Sequence, residues 1–206
     1  MISKSSLAIE LSRLDVFDNP NTIEEQYPTD SEVAAEAIWH AFMKGLIKDK
    51  IIADFGAGTG ILGIGALILE AKKCFFVEKD KDVVKILKRN IEIMRLNDRS
   101  NLIESDIKDF NGRVELVIEN PPFGTRKKGA DVSFLEKAFS VSNRVISFHK
   151  SSTRDYIIAF GRRFGFESID EIKFLIPLKN TMRFHKKRLV KIGVSCFFFE
   201  SREEHH

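Results

Sequence analysis

The sequence predicts an α/β fold, and two features of its apolar pattern lead to that prediction. From about residue 30 onward, short apolar runs of strand length alternate with longer runs of helical periodicity, which is typical of a parallel sheet covered by helices on both faces. The last two apolar runs are joined by a basic loop without a helix, so these two strands should pair antiparallel. We therefore expect a Rossmann-like sheet of seven strands, mostly parallel, with one antiparallel strand.

The length of 206 residues suits a single domain with one core. We predict one domain over residues 1–206, made of an N-terminal helix and covering segment (1–29) and an α/β core (30–206). Thr29 and Glu32 have the spacing of a capping box and would open the first core helix, which runs to residue 42. Other helices are predicted at 5–14, 61–70, 80–96, 134–141 and 154–164, and strands at 50–55, 74–78, 102–105, 114–120, 145–148, 172–178 and 190–200.

Cysteine usage and the N-terminus suggest a cytoplasmic protein. Cys74 and Cys196 lie in separate apolar runs without a CxxC pair or nearby histidines, so we interpret both as buried strand residues and predict no metal site. Charges at Lys4, Glu10 and Arg13 oppose a signal peptide. No apolar run approaches the roughly 20 residues of a membrane span, so we expect no contact with a membrane.

Charge is unevenly distributed along the chain. Residues 1–120 carry 16 basic and 21 acidic side chains, a net charge of −5, whereas residues 121–206 carry 17 and 9, a net charge of +8. This asymmetry favours a nucleic-acid-binding surface in the C-terminal part. An ordinary solvated basic surface is the alternative.

A glycine-rich loop follows the first predicted strand. Asp54, Gly56, Gly58 and Gly60 form the pattern DxGxGxG directly before a helix. Glycines at this place let the backbone turn sharply and approach a ligand closely. The dinucleotide-binding pattern is GxGxxG, so the tighter GxGxG with a leading acid indicates a different cofactor. Taken alone, the loop could also be only a tight turn.

Acidic residues follow the next two strands, at the edge where open α/β sheets bind ligands. Glu78 ends strand two and could accept hydrogen bonds from both hydroxyls of a ribose. Asp106 follows strand three and could accept a hydrogen bond from an adenine amine, while Ile107 beside it could cover the ring. Asp80 is expected to cap the following helix instead.

The end of strand four carries the most specific signal in the chain, which is Asn120, Pro121, Pro122 and Phe123. The Asn120 side-chain carbonyl and the Pro121 backbone carbonyl can accept the two hydrogens of an aromatic amine and direct its lone pair at an electrophilic methyl carbon. The prolines make the turn rigid, and Phe123 offers a face on which an extruded base can stack. We assign these four residues to catalysis; a simple strand-ending turn is the alternative.

The glycine loop, Glu78, Asp106 and the NPPF motif, in this order and spacing, resemble the class I S-adenosylmethionine-dependent methyltransferases over nearly the whole chain. Four segments, EQYPT (25–29), NPPFGTRKKG (120–129), HKSSTR (149–154) and FHKK (184–187), resemble more narrowly the methyltransferase-like-5 family, whose eukaryotic members methylate the 6-amino group of one adenosine in small-subunit ribosomal RNA. The loop DFGAGTG lacks the cysteines usual in eukaryotic members, which favours a prokaryotic or archaeal member.

The resemblance implies S-adenosylmethionine as the cofactor and RNA, in particular ribosomal RNA, as the substrate. It implies further cofactor contacts at Gln26, Tyr27 and Thr29, from an N-terminal segment folded over the pocket, and at Asn120. Some members need a small zinc-binding activator protein that pairs with an edge strand, and strand three would be that edge in this topology. Contacts to RNA phosphates are expected from basic and histidine side chains near the pocket: Arg126, Lys127, Lys128, Lys150, Arg183, His185, Lys186 and Lys187.

Three other functions compete with adenine methylation. A protein glutamine N5-methyltransferase also uses an NPP turn, but such enzymes generally have NPPY and an additional N-terminal helical domain. A guanine 2-amine methyltransferase can share NPPF, and HKSSTR and FHKK favour the adenine enzymes over it. A non-catalytic RNA-binding scaffold with a relict pocket is disfavoured because Asp54, Glu78, Asp106 and NPPF are all present. His149, near a strand end, is interpreted as structural rather than as a catalytic base.

Overall fold

The computed structural model describes residues 2–16, 29–122, 129–178 and 190–202. These residues form six α-helices: α1 (Lys4–Leu11), α2 (Ser31–Met43), α3 (Ile61–Ile68), α4 (Lys81–Ile93), α5 (Ala130–Val141) and α6 (Arg154–Arg163). They also form seven strands: β1 (Ile51–Phe55), β2 (Lys73–Glu78), β3 (Ser100–Glu104), β4 (Leu116–Glu119), β5 (Arg144–Lys150), β6 (Phe166–Leu178) and β7 (Val190–Ser201). Every predicted element is present in the predicted order, and most ends differ by four residues or fewer; β6 begins six residues earlier than predicted, at Phe166.

All seven strands belong to one sheet, in the order β3-β2-β1-β4-β5-β7-β6. The five strands from β3 to β5 pair parallel, and β7 runs antiparallel to both of its neighbours. The predicted sheet with one antiparallel strand is therefore confirmed. Strand β3 lies at one edge, as expected from the topology, and β6 lies at the other.

Helices cover both faces of the sheet, as predicted, and each face has its own apolar core. Alternate strand residues such as Ile52 and Ala53 point to opposite faces because side chains alternate along a strand. Helices α1 to α4 contribute buried residues to the core that contains Ile52 and Phe198, and α5 and α6 to the core that contains Phe55 and Phe199. No helix of the described residues is long and apolar enough to cross a membrane.

The start of α2 corrects one prediction. The residue that caps the helix is Asp30, whose Oδ1 accepts hydrogen bonds from the backbone N–H groups of Glu32 at 2.9 Å and Val33 at 3.4 Å. The proposed capping box of Thr29 and Glu32 is therefore wrong, because an aspartate one residue later performs that function. This leaves the Thr29 hydroxyl for a different contact, described below. The prediction that Asp80 caps the helix after β2 is confirmed.

Candidate active site

The parallel pairing of β1 with β2 and β4 brings the carboxyl ends of these three strands together at one edge of the sheet. The glycine loop follows β1 there and is joined to β2, since the Ala57 N–H donates to the Val77 carbonyl at 3.1 Å. The loop closes on itself through a hydrogen bond of 2.8 Å from the Gly60 N–H to the Ala57 carbonyl. Local hydrogen bonds therefore fix the loop against the sheet.

The three predicted loop glycines are needed for their backbone conformation. Gly56, Gly58 and Gly60 have φ angles of 62°, 56° and 89°, in the left-handed region that side chains with a Cβ disfavour. A Cβ at Gly56 would lie 2.8 Å from Phe134 Cε1, and one at Gly60 would lie 2.4 Å from Leu87 Cδ1. At Gly58 the nearest neighbour of a Cβ would be the Gly56 carbonyl oxygen, 3.9 Å away, so the loop is uncrowded at this point. The middle of the loop thus offers space and backbone for a ligand.

Glu78 ties the glycine loop to the end of β2. Its Oε2 accepts a hydrogen bond from the Gly58 N–H at 2.9 Å, and its Oε1 accepts from the Lys79 N–H at 2.9 Å and the Asp80 N–H at 3.0 Å. The side chain is 7% exposed. A carboxylate has about four acceptor sites, so one remains for a ligand hydroxyl after these three bonds.

Asp54 is buried near the end of β1 and contacts the helix that follows the glycine loop. Its carboxyl group is 1% exposed and accepts a hydrogen bond from the Gly63 N–H in the first turn of α3 at 2.8 Å. Burial raises the pKa of Asp54 to about 8, a rise that the Gly63 N–H partly opposes. The contact visible in the structure is therefore with the helix, and the predicted contact of Asp54 with a cofactor stays a prediction.

The two predicted residues after β3 have different environments. Asp106 is partly exposed and caps a short 3₁₀ helix at Ile107–Asp109. Its Oδ1 accepts a hydrogen bond of 3.0 Å from the Lys108 N–H. Ile107 is 6% exposed and packs in the apolar core with α5. The Ser105 N–H donates to the Glu78 carbonyl at 3.1 Å, so this segment is fixed beside the end of β2.

At the end of β4, the side chain of Asn120 is partly buried and contacts the N-terminal segment. Its Nδ2 donates a hydrogen bond of 2.9 Å to Thr29 Oγ1, so two predicted site residues that are 91 positions apart in the chain meet. Pro121 is buried and Pro122 is partly buried. Lys150 ends β5 at the same edge of the sheet. The other predicted residues lie outside the described part of the chain: Gln26, Tyr27, Phe123, Arg126, Lys127, Lys128, Arg183, His185, Lys186 and Lys187.

Asn90 is a site residue that the sequence analysis missed. It lies on the buried face of α4, where its Nδ2 donates to the backbone carbonyls of Thr59 at 2.9 Å and Asp15 at 3.0 Å, and its Oδ1 accepts from the Asp15 N–H at 2.8 Å. This side chain joins the glycine loop to the end of the described N-terminal segment. The available signal was an amide side chain on the apolar stripe of α4, between Leu87 and Ile91.

A buried polar chain next to the NPP motif was also missed. Ser147 Oγ on β5 lies 2.8 Å from Glu119 Oε1 on β4 and 2.7 Å from His149 Nε2. His149 Nδ1 lies 3.7 Å from Asp131 Oδ2 in the first turn of α5. Glu119 and Ser147 are fully buried and His149 is 1% exposed, so the interpretation of His149 as structural agrees with its burial.

The fold and this edge of the sheet define a class of protein, the class I methyltransferases. Among solved structures, a Pyrococcus horikoshii protein named as an RNA methyltransferase superposes with a TM-score of 0.89 at 40% identity, covering 98% of each chain. The zebrafish rRNA N(6)-adenosine-methyltransferase METTL5 is 34% identical over 199 residues, which cover 92% of this chain and 94% of that protein. The Caenorhabditis elegans rRNA N(6)-adenosine-methyltransferase metl-5 is 32% identical over 203 residues, with 92% and 94% coverage.

A family model described as Conserved hypothetical protein 95 matches residues 19–164 of the chain. The chain therefore belongs to this family and, within it, to the methyltransferases related to METTL5. The class predicted from the glycine loop, the two acids and NPPF is confirmed, and so is the narrower family predicted from the segments 25–29, 120–129, 149–154 and 184–187.

The geometry at Glu78 generates a testable prediction. We expect Glu78→Gln to weaken the binding of S-adenosylmethionine by about 1 to 3 kcal/mol, because a single amide oxygen cannot accept all three backbone N–H donors and a ligand hydroxyl. Isothermal titration calorimetry measures the change. The control is Glu104→Gln on edge strand β3, which should bind like the wild type; equal affinities for both variants would contradict the role of Glu78.

Proposed function

We propose that the protein transfers a methyl group from S-adenosylmethionine to the 6-amino group of an adenine in structured RNA, with small-subunit ribosomal RNA as the expected substrate. The observation that carries this proposal is the hydrogen bond from Asn120 Nδ2 to Thr29 Oγ1 at the end of β4. Support also comes from the relatives in zebrafish and C. elegans, which are named as rRNA N(6)-adenosine-methyltransferases.

The residues at the ends of β1 to β3 fit an adenosine-containing cofactor. The glycine loop has an uncrowded backbone at Gly58, where a side chain would fill the space that a ligand needs. Glu78 has acceptor capacity for a ribose hydroxyl, and Asp106 has a second oxygen for an adenine amine. When bound, S-adenosylmethionine supplies the electrophilic methyl group.

Asn120 is proposed to orient the target amine. Because its Nδ2 is occupied by Thr29, its Oδ1 is the atom left to accept a hydrogen from the amine. The Pro121 backbone carbonyl is proposed to accept the second hydrogen, so that the nitrogen lone pair is directed away from the ring. Acceptors fixed before the reaction stabilise the developing positive charge on the nitrogen without having to reorganise. Thr29 is thus proposed to position Asn120 in addition to its place near the cofactor.

Substitution of Asn120 tests this assignment. We expect Asn120→Ala to lower kcat by at least about 100-fold, since it removes an acceptor aimed at the reacting nitrogen, while the affinity for S-adenosylmethionine changes little. Methyl transfer to RNA and calorimetric binding of the cofactor measure the two effects. Asn143→Ala, which removes an amide side chain before β5 that contacts Arg113, is the matched control. An active Asn120→Ala enzyme would refute the proposed role.

The basic residues 126–128 and 183–188 are proposed to contact RNA phosphates around the pocket. The first group follows the NPPF motif directly in the sequence, and the second lies in the connection between β6 and β7. Since β6 runs parallel to β4, its end lies at the same edge of the sheet as the NPP motif. Lysine and arginine side chains at such a rim neutralise phosphates and release counterions.

Replacing Lys127, Lys128, Lys186 and Lys187 together with alanine should weaken RNA binding and flatten its dependence on salt. Each lost phosphate contact lowers the slope of log K against log salt by about 0.9, or about 0.7 for single strands. Fluorescence anisotropy over a salt series measures the slope. A control of equal charge change replaces Lys48, Lys81, Lys85 and Lys88 and should keep the wild-type slope. The same slope in both variants would show that the first four lysines are an ordinary solvated surface.

Edge strand β3 is proposed as the contact surface of a small activator protein. The strand pairs on one side with β2, and the backbone groups of its other side can be completed by a strand of a partner. The source of this proposal is the resemblance to the methyltransferase-like-5 family, some members of which need such a partner. We expect Leu102→Pro, which removes a backbone donor on β3, to bind the partner less well than the wild type does, as measured by size-exclusion chromatography of the mixture. Full activity of the isolated monomeric wild type would contradict the proposal.

A further inference from the structure

A chain of the buried residues Glu119, Ser147 and His149 extends toward the partly buried Asp131, and its two ends lie on either side of the NPP segment in the sequence. Glu119 directly precedes Asn120, and Asp131 follows Gly129 in the first turn of α5. The link between them runs through β5, because Glu119 and Ser147 are register partners in the parallel pair β4–β5. Glu119 is thus linked through Ser147 to His149, whose Nδ1 faces Asp131 Oδ2 at 3.7 Å without another hydrogen-bond partner among the described residues.

The number of protons in this chain is constrained by its geometry. The Ser147 hydroxyl has one proton but lies between two acceptors, Glu119 Oε1 at 2.8 Å and His149 Nε2 at 2.7 Å. For both contacts to be hydrogen bonds, either Glu119 or His149 Nε2 must donate to Ser147. Two arrangements keep both bonds and a proton on Nδ1 facing Asp131: a neutral Glu119 with neutral His149, or an ionised Glu119 with a cationic His149. The two contain the same number of protons and interconvert by moving protons across the Ser147 hydroxyl.

The surroundings favour the arrangement with the proton on Glu119. The pKa of Glu119 is raised to about 8, mainly by burial and also by the charges of Asp131 and Asp54 on β1, while the hydrogen bond with Ser147 partly opposes the rise. Burial lowers the pKa of His149, while the His149 contact lowers the pKa of Asp131. On the other side of His149, β7 presents the Phe197 ring at 6.0 Å and, opposite in register, Ser195. Ser195 donates to Glu171, which is paired with Arg154.

We propose that Glu119, Ser147, His149 and Asp131 form a proton-holding chain that positions the NPP segment for methyl transfer. In the working state Glu119 donates to Ser147, Ser147 donates to His149 Nε2, and His149 Nδ1–H faces the Asp131 carboxylate. Loss of the shared proton leaves two carboxylates linked by a histidine that cannot satisfy both, so the connection between β4 and α5 weakens. The four residues are positioning residues, and the proposal rests on the proposed role of Asn120.

The proton-holding chain of Glu119, Ser147, His149 and Asp131 should make methyl transfer sensitive to alkaline pH. Because the folded-state pKa of Glu119 is raised to about 8, the chain keeps its proton below that pH and loses it above. We expect kcat of the wild type to fall as the pH rises through about 8. Because the pKa of Asp54 beside the glycine loop is also raised to about 8, comparison with Glu119→Gln assigns the decline to Glu119.

Three variants separate positioning from simple structural support. Ser147→Ala interrupts the chain and should lower kcat at neutral pH by about tenfold, in line with the cost of a small misplacement of reacting groups. Glu119→Gln keeps a neutral donor toward Ser147, so it should retain most of the activity at neutral pH and lose the alkaline decline. Ser142→Ala removes another buried serine hydroxyl, at the opposite end of β5, and should keep the wild-type pH profile.

A second measurement tests the chain without any methyl transfer. Nitrogen-15 NMR of the histidine side chains should show the Nδ1–H tautomer for His149 at neutral pH in the full chain, and a change with a midpoint near 8 that Glu119→Gln abolishes. An Nε2–H tautomer at neutral pH overturns the proposal. So does a Ser147→Ala variant with unchanged kcat, or an alkaline decline that persists in Glu119→Gln. If the predicted tautomer is found but no RNA is methylated, the proposed proton-holding chain is supported and the proposed function of the site is contradicted.

Discussion

The parallel pairing of β1 with β2 on one side and β4 on the other is the constraint on which the site depends. It places the glycine loop, Glu78 and Asn120 at one edge of the sheet although they are far apart in sequence. Two amide side chains then connect the N-terminal segment to this edge. Asn90 joins Asp15 to the glycine loop, and Asn120 joins Thr29 to the end of β4. Asp15 is thus held beside the glycine loop, and Thr29 is held beside the NPP motif.

Two buried carboxyl groups, on opposite faces of the sheet, stabilise different contacts. Asp54 is enclosed and bonded to the start of α3, so it stabilises the connection from the glycine loop into the helix. Glu119 on the neighbouring strand points to the opposite core and contacts β5. Burial raises the pKa of both groups to about 8. Because the folded state holds these protons and an unfolded chain would release them, each group lowers the free energy of unfolding as pH rises from about 4 to 8.

The fold and the place of the candidate site could be predicted from the sequence because their signals are local. The alternation of apolar runs predicts the order of strands and helices, and DxGxGxG and NPP mark strand ends that the structure brings to one edge of the sheet. The glycine torsions at Gly56, Gly58 and Gly60 agree with the reason given for those residues. The expectation of a basic loop between the last two strands was enough to predict that they pair antiparallel.

Contacts that depend on register between distant elements could not be predicted. Asn90 has the position of an ordinary helix residue, and only the packing of α4 shows that it meets Asp15 and Thr59. The relation of Glu119 to Ser147 depends on the alignment of β4 with β5, which no local pattern contains. The capping error at Thr29 had a local cause, since Asp30 is an equally suitable cap one residue later.

The central claim is that this edge of the sheet presents an exocyclic adenine amine to the methyl donor. The most direct measurement incubates the full chain with S-adenosylmethionine labelled on the methyl group and with separated RNA and protein fractions, followed by digestion of the labelled product. We predict that the label is found in RNA as N6-methyladenosine. Label in N2-methylguanosine, or in protein as a methylated glutamine side chain, would contradict the claim.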